Sequence, residues 1–334
     1  MGVDVQKNTM MPNIALMMPV GGARMQAVLP YAALAQSRGG RTLWLGQVLS
    51  GDTHHPFIHA AAAGFPVPAG IGVSLMPLRH PYDAAVQAQS VAAATGHPVV
   101  AGYGPGSVSF QKRLLSAPYR SQLGAVREYV SILKGLLDGG EVAITGEYFS
   151  FHGRLPKVTR PRVEVGLGVL RPRMARLAGE MADVAITWLA PAAYIRDVIL
   201  PALREGAATR GRAVPRVVAM VPAALDKAGR AAEELVLAGN RAHLGLPHYR
   251  DMLRQAGMDT DVDADPVKAA RALVDGGAFL YGDATELKDR VAEYAAAGVD
   301  EVVVSAGGVV ALEGPRAGLS EAQALLAALG YPAA

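Results

Sequence analysis

Three glycines at alternate positions, Gly102, Gly104 and Gly106, follow a short apolar run that starts at Pro98. Closely spaced glycines let backbone N–H groups approach an anion, so the stretch is a candidate phosphate seat; a plain flexible turn is the other reading. The spacing is not that of a dinucleotide fingerprint, and no strand ending in an acid follows about twenty residues on. A second stretch of this kind runs Gly166-Leu167-Gly168-Val169-Leu170-Arg171-Pro172-Arg173-Met174. Pro172 fits the first position of a helix. An open helix N-terminus with Arg171, Arg173 and Arg176 around it suits a phosphate. From Arg154 to Arg176 seven basic residues accompany one acid, Glu164. That patch suits a polyanionic tail, or it is a solvated surface.

Other reactive types are sparse. His54 and His55 lie in Gly51-Asp52-Thr53-His54-His55-Pro56, and His55 and His59 are four apart, on one face if helical. With no H-E-x-x-H pattern and no nearby carboxylate but Asp52, this is half of a metal site at best and reads as a polar loop. No metal is expected. There is no G-x-S-x-G elbow and no P-loop lysine. Trp188 ends an apolar run, where it can stack on a flat ring or simply line a cavity. The chain holds no cysteine, which excludes a thiol nucleophile, a thiolate zinc site and a cysteine-held cluster.

A net charge of +3 on 334 residues is mild and argues against a dedicated nucleic-acid binder. No uncharged apolar run of about 18 residues is present, and Met1 to Met11 lacks the apolar core of a secretory signal. A cytoplasmic protein with no membrane partner is expected.

Something must position these groups, and the chain offers short apolar runs alternating with helical patterns. Eight runs read as buried strands: Asn13–Met18, Thr42–Leu45, Ile71–Met76, Pro98–Ala101, Val163–Leu167, Val184–Thr187, Arg216–Val221 and Glu301–Val304. Helices are expected over Arg24–Ser37, Pro81–Ala94, Tyr119–Leu137, Met174–Met181, Tyr194–Ala208, Ala228–Ala238 (closed by Gly239), Glu286–Ala297 and Glu321–Leu329. Glu141–Phe151 reads as a small hairpin. Eight such strands in about 300 residues favour an α/β fold of the closed (β/α)8 (TIM) type over a doubly wound sheet. Residues 1–12 read as a flexible N-terminus and 13–334 as one domain, with a helical insertion near Asn240–Ala278 after strand seven. In such a barrel the site lies at the carboxyl ends of the strands, where both glycine stretches fall.

Five stretches taken in order resemble one family: TLWLGQ (Thr42–Gln47), GVSLMPLRHP (Gly72–Pro81), the helix and hairpin of Tyr119–Phe151, GVLRPRMARLAGEMADV (Gly168–Val184) and FLYGDATELKDRVAEYAAAGVDEVVV (Phe279–Val304). The sequence resembles the luciferase-like flavin- or deazaflavin-dependent oxidoreductases. The resemblance implies a flavin-like ring at the strand ends and a bulge near Ser74, often with a non-prolyl cis peptide. It implies cofactor contacts at Gln47, Ser74, Leu75, Met76, Gly102, Tyr103, Gly104, Gly106, Gly166, Gly168, Val169, Leu170, Arg171 and Trp188. The basic patch and SLMPLRHP resemble the branch that uses coenzyme F-420, a deazaflavin with an acidic tail; FMN is the alternative cofactor.

Departures from the family narrow the chemistry. Where the sugar-phosphate dehydrogenase branch has a His after strand two and a Glu after strand four, this chain has Val48 and Ser107. Alcohol oxidation needs a base and none is evident. The methylene-pterin reductase branch uses a carboxylate near the end of strand one; here that stretch is Met17–Val20. The expected activity is therefore an F-420-dependent reductase that delivers hydride to an electron-poor C=C or C=N bond of a small-molecule or peptide-derived substrate. Tyr103, His55 and Ser107 are the protic candidates. An FMN-dependent monooxygenase and a non-catalytic cofactor-binding protein are the alternatives. A homodimer is expected from the family habit.

Overall fold

The structure, a computed structural model, describes residues 11–19 and 25–332. Eleven strands occur among these residues: β1 (Asn13–Met17), β2 (Leu43–Leu45), β3 (Ala69–Leu75), β4 (Val99–Gly104), β5 (Val142–Thr145), β6 (Ser150–Gly153), β7 (Val163–Gly168), β8 (Val184–Trp188), β9 (Arg216–Leu225), β10 (Leu280–Gly282) and β11 (Glu301–Ser305). Pairing runs β9-β11-β1-β2-β3-β4-β7-β8, and β8 pairs β9 to close the ring. All eight of these strands are parallel and helices surround them, so the fold is the expected (β/α)8 barrel. The strands β5 and β6 form the antiparallel hairpin.

Several boundaries differ from the expected ones, each for a physical reason. The fourth strand continues through Gly102-Tyr103-Gly104, so these residues are sheet rather than loop. The helix expected to close at Gly239 runs Ala232–Leu244 instead. A Cβ at Gly239 would lie 2.9 Å from the Gly308 nitrogen, so this glycine permits a close helix crossing rather than a stop. Gly307 and Gly308 in turn begin a helix, Gly307–Glu313, that two adjacent glycines had concealed. Strand β10, three residues long, extends the sheet at the outer end of β9 and is too short for periodicity to register. The stretch expected as an insertion holds helices Pro247–Gln255 and Pro266–Asp275. Residues 1–10 of the expected flexible terminus, and Gly21, Gly22 and Arg24 at the first turn, lie outside the described residues.

Two apolar cores result. The larger lies between strands and helices; the smaller fills the barrel lumen with Ala15, Trp44, Val100, Val184, Ile186, Val218, Met220 and Val303. Large lumen side chains need facing glycines, because four or more strands share each layer. A Cβ at Gly70 would fall within the Trp44 ring, and one at Gly102 or Gly166 would lie 2.5 or 2.7 Å from Ile186 Cδ1. Trp44 is fully buried, and its Nε1–H donates to Glu301 Oε1 at 2.6 Å. Arg216 stands 3.9 Å from the same carboxylate and donates to Glu164 at 2.7 Å. This polar floor lies at the amino ends of β7, β9 and β11.

Gly70→Ala should lower stability by about 1–3 kcal/mol, the usual cost of overpacking. A thermal melt equal to the parent's would show that Trp44 does not fill the lumen tightly. Burial pushes the Glu301 carboxyl up, and the Trp44 hydrogen bond only partly offsets it. Below the ordinary value of 4.5 the folded and unfolded states both hold the proton. As pH rises past it toward the raised value, the unfolded state loses its proton first, so stability declines. Glu301→Gln keeps an acceptor for Trp44, and its melting temperature should not show that decline.

Candidate active site

At the carboxyl end of the barrel, β3 slips register between Ile71 and Ser74, and the Gly72–Val73 peptide is cis. The irregularity expected near Ser74 is thus centred just before it. The slip turns Val73 toward the lumen. A Cβ at Gly104 or Gly168 would stand 3.1 or 3.5 Å from the Val73 side chain. Val73 with these two bare glycines makes a shelf without projecting atoms, and Met17, Met220 and Trp188 are its lumen neighbours. A flat ring can lie on such a surface.

Hydroxyl and amide groups brace the shelf from behind. Ser74, fully buried, has its Oγ 3.2 Å from Thr53 Oγ1, which also reaches Gln47 Oε1 at 3.3 Å. Gln47 donates to the carbonyls of Val48 (2.7 Å) and Gly51 (3.2 Å). Gln47 therefore holds its own loop in shape.

Next to this brace lies a cluster that the sequence reading missed. His54, 1% exposed, has Nδ1 3.1 Å from Asp52 Oδ1 and 3.1 Å from Arg79 Nη1; Arg79 also pairs with Asp52 at 3.1 Å and donates to Gln87. Burial alone would raise the Asp52 carboxyl, but hydrogen bonds from the His54 ring and backbone, with the charge on Arg79, hold it well below the usual carboxylate range. Burial also lowers His54, more than Asp52 raises it. The imidazole is neutral at physiological pH. The sequence favoured His55; helix His55–Ala62 instead buries the preceding His54 and leaves His55 exposed.

Other expected residues separate into mouth and core. Tyr103 does not line the mouth. Its side chain points away from the lumen, is fully buried, donates to the Ala84 carbonyl at 3.3 Å and packs on Tyr129 at 5.4 Å between ring centroids. Strand alternation sends it outward, so it is no proton donor at the mouth. Met76 and Val169 likewise face the outer core, while Leu75 and Leu170 are half-buried. Gly102 and Gly166 make room for Ile186 rather than cradle an anion. Ser107 caps helix Val108–Leu114, accepting from the Phe110 N–H at 3.2 Å, and Gly106 takes the left-handed turn before it, at φ 71°. Among the described residues no three His, Asp or Glu side chains gather as a metal site, and no helix is long and apolar enough to cross a membrane.

The basic patch is dispersed. Arg154 pairs with Glu141, Arg162 with Glu164 and Arg176 with Glu205. Arg160 donates to backbone carbonyls. Arg171 and Arg173 alone of the patch line a cleft of about 430 Å³ with Arg120, Ser121, Gln122 and Gln255. Two helices begin there, Gln122–Leu137 and Pro172–Met181. Arg173 has no ion pair among the described residues, whereas Arg171 stands 3.8 Å from Asp251. Positive helix ends and guanidinium groups thus converge at the rim after β7.

Trp188 stands at the end of the neighbouring strand β8. Its ring centroid is 5.7 Å from that of His243, which meets Tyr249 edge-on at 5.2 Å. His243 belongs to helix Ala232–Leu244 and Tyr249 to helix Pro247–Gln255, so the insertion reaches the mouth. The only sequence signal was two of the eight histidines, His243 and His248, placed within six residues.

The luciferase-like monooxygenase family pattern matches residues 9–301. The chain belongs to that family. Membership places it among oxidoreductases of this barrel type. It is 27% identical over 269 residues to a 5,10-methylenetetrahydromethanopterin reductase of Methanolobus tindarius, spanning 77% of this chain and 78% of that one. Its fold is similar to the coenzyme F-420 dependent tetrahydromethanopterin reductase of Methanopyrus kandleri (TM-score 0.73, 19% identity, 95% and 99% of the two chains). It is also similar to an F-420-dependent secondary alcohol dehydrogenase (0.74, 16%, 96% and 99%). The FMN-bound oxygenating constituent of 3,6-diketocamphane monooxygenase of Pseudomonas putida shares the fold too (0.71, 17%, 96% and 98%).

Burial, with His248 adding, pushes His243 down to about 4. Between the ordinary 6.5 and that value the unfolded chain takes the proton and the folded one resists it. Stability should fall as pH drops through this window. His243→Phe should flatten the fall, read from urea unfolding at several pH values between 7.5 and 4.

Proposed function

We propose that this chain is an F-420-dependent reductase that delivers hydride to an electron-poor C=C or C=N bond of an uncharged substrate. The observation that carries the reading is the arginine-lined cleft at two helix N-termini, beside a flat shelf at the strand ends. The shelf of Val73, Gly104 and Gly168 fits the ring, and Arg120, Arg171 and Arg173 fit an acidic tail. The similarity to a methylenetetrahydromethanopterin reductase supports the same cofactor class.

When bound, the reduced deazaflavin supplies the hydride. The protein's share is position: holding the reactants together in the right orientation is worth up to about 7–11 kcal/mol in model systems. Val73, Gly104 and Gly168 would receive the ring, and the Ser74–Thr53–Gln47 hydrogen bonds would brace the strand behind it. The helices Ala232–Leu244 and Pro247–Gln255 would border the shelf on the side of Trp188. Val48 and Ser107 offer no base that would take a hydroxyl proton; Ser107 is engaged as a helix cap. Reduction with a solvent proton is therefore favoured over alcohol oxidation.

Titration of the purified protein with F-420 and with FMN, followed by fluorescence, tests the cofactor. Tight F-420 binding is expected, weakened about tenfold by Arg173→Gln, with a shallower salt dependence in the variant. A tail-less deazaflavin should bind both proteins equally. Binding of FMN alone, with oxygen consumption on its reduction, would replace this reading by a monooxygenase.

A further inference from the structure

We propose that Trp188, Asn240 and His243 form a hydrogen-bonding wall that recognises a carbonyl-bearing, uncharged substrate; this rests on the reductase reading and names its substrate class. Three nitrogen atoms carry the argument. Trp188 Nε1, Asn240 Nδ2 and His243 Nδ1 are each buried from solvent and have no hydrogen-bond partner among the described residues. Buried polar groups in folded proteins are almost always paired, so three orphans in one region need an explanation. Asn240 is itself 1% exposed. It lies three residues before His243 on the same helix, so the two share one face. The His243 ring meets Trp188, whose strand end forms part of the mouth.

The chemistry of the donors selects the ligand. An indole N–H and an amide NH₂ can only donate. His243 is neutral near pH 7, held so by burial, and adds a donor or an acceptor according to its tautomer. A ligand that satisfies this wall must therefore present lone pairs, and an anion is not required because no guanidinium or ammonium takes part. A carbonyl conjugated to the reducible bond meets both demands: it makes that bond electron-poor and it offers the acceptor. Trp188 and Tyr249 supply aromatic surface beside it. The same wall rejects a hydrocarbon of equal size, because that ligand would leave the donors unpaired.

The test uses the chain's two tryptophans. Trp44 is sealed in the lumen on Glu301, so a fluorescence change on adding ligand reports Trp188. The probe is 2-cyclohexen-1-one, with 1-methylcyclohexene as a ring without an acceptor atom. Each is titrated into the protein alone, with FMN and with F-420. Saturable quenching by the enone, none by the hydrocarbon and none in Trp188→Phe are expected. Asn240→Leu and His243→Phe should each weaken the enone five- to tenfold and leave cofactor affinity unchanged. Both should melt at or above the parent temperature, because each removes an unpaired buried polar group. Should Asn240→Leu not fold, Asn240→Ser reads the same loss. Equal response to both rings, or no saturable response in any of the three forms, overturns the proposal. So does a fall in melting temperature of both variants with enone affinity intact, since that marks a packing role. Failure of F-420 to bind while the enone still quenches would remove the reductase reading and leave the wall standing.

Discussion

A closed barrel of eight strands must fill its own lumen, and here one side chain dominates how that is done. Trp44 occupies the interior, and its only polar atom is matched by Glu301. The ring is too large for a lumen lined by side chains all round, so β3 presents Gly70 where the indole lies. Ile186 needs the same of Gly102 and Gly166 on β4 and β7. The lumen is thus packed by pairing bulk with absence, layer by layer. This arrangement fixes how high the packing rises, and so the floor on which the site stands.

Above that floor the requirement is reversed. The mouth must stay shallow and smooth, yet strand β3 has to remain in register with two neighbours. The slip between Ile71 and Ser74 reconciles these needs by turning Val73 inward and Ser74 into a buried hydroxyl brace. Polar groups behind the strand stiffen it, and Val73 in front faces the bare positions Gly104 and Gly168. Beside Trp188 the following helices present the rings of His243 and Tyr249. Charge is kept to the rim, where the arginines of the cleft lie.

The fold was legible because its signals are local. Strands buried on both faces show up as short apolar runs, and their count alone led to the barrel. The site was less legible because it depends on direction. Tyr103 and Gly104 are neighbours in sequence, yet pleating sends one side chain into the outer core and leaves the other position open at the mouth. His54 and His55 are chemically identical, and the start of one helix decides which is buried. Gly102 and Gly166 looked like anion loops because spacing cannot tell a loop glycine from one that faces a bulky partner across a barrel. The basic run was dispersed for a related reason: its residues lie on a hairpin, a strand base and a helix, where Arg154, Arg162 and Arg176 each meet an acid and Arg160 meets backbone carbonyls. Asn240 and His243 carried no motif at all, because an insertion has no period to betray which face meets the barrel.

The contact between Arg171 and Asp251 joins the rim of the cleft to the helix that holds Tyr249. A guanidinium at 3.8 Å from a carboxylate, half open to water, is a weak clasp. An anion at the cleft would compete with Asp251 for Arg171, the one ion pair among the described residues that ties the loop after β7 to that helix.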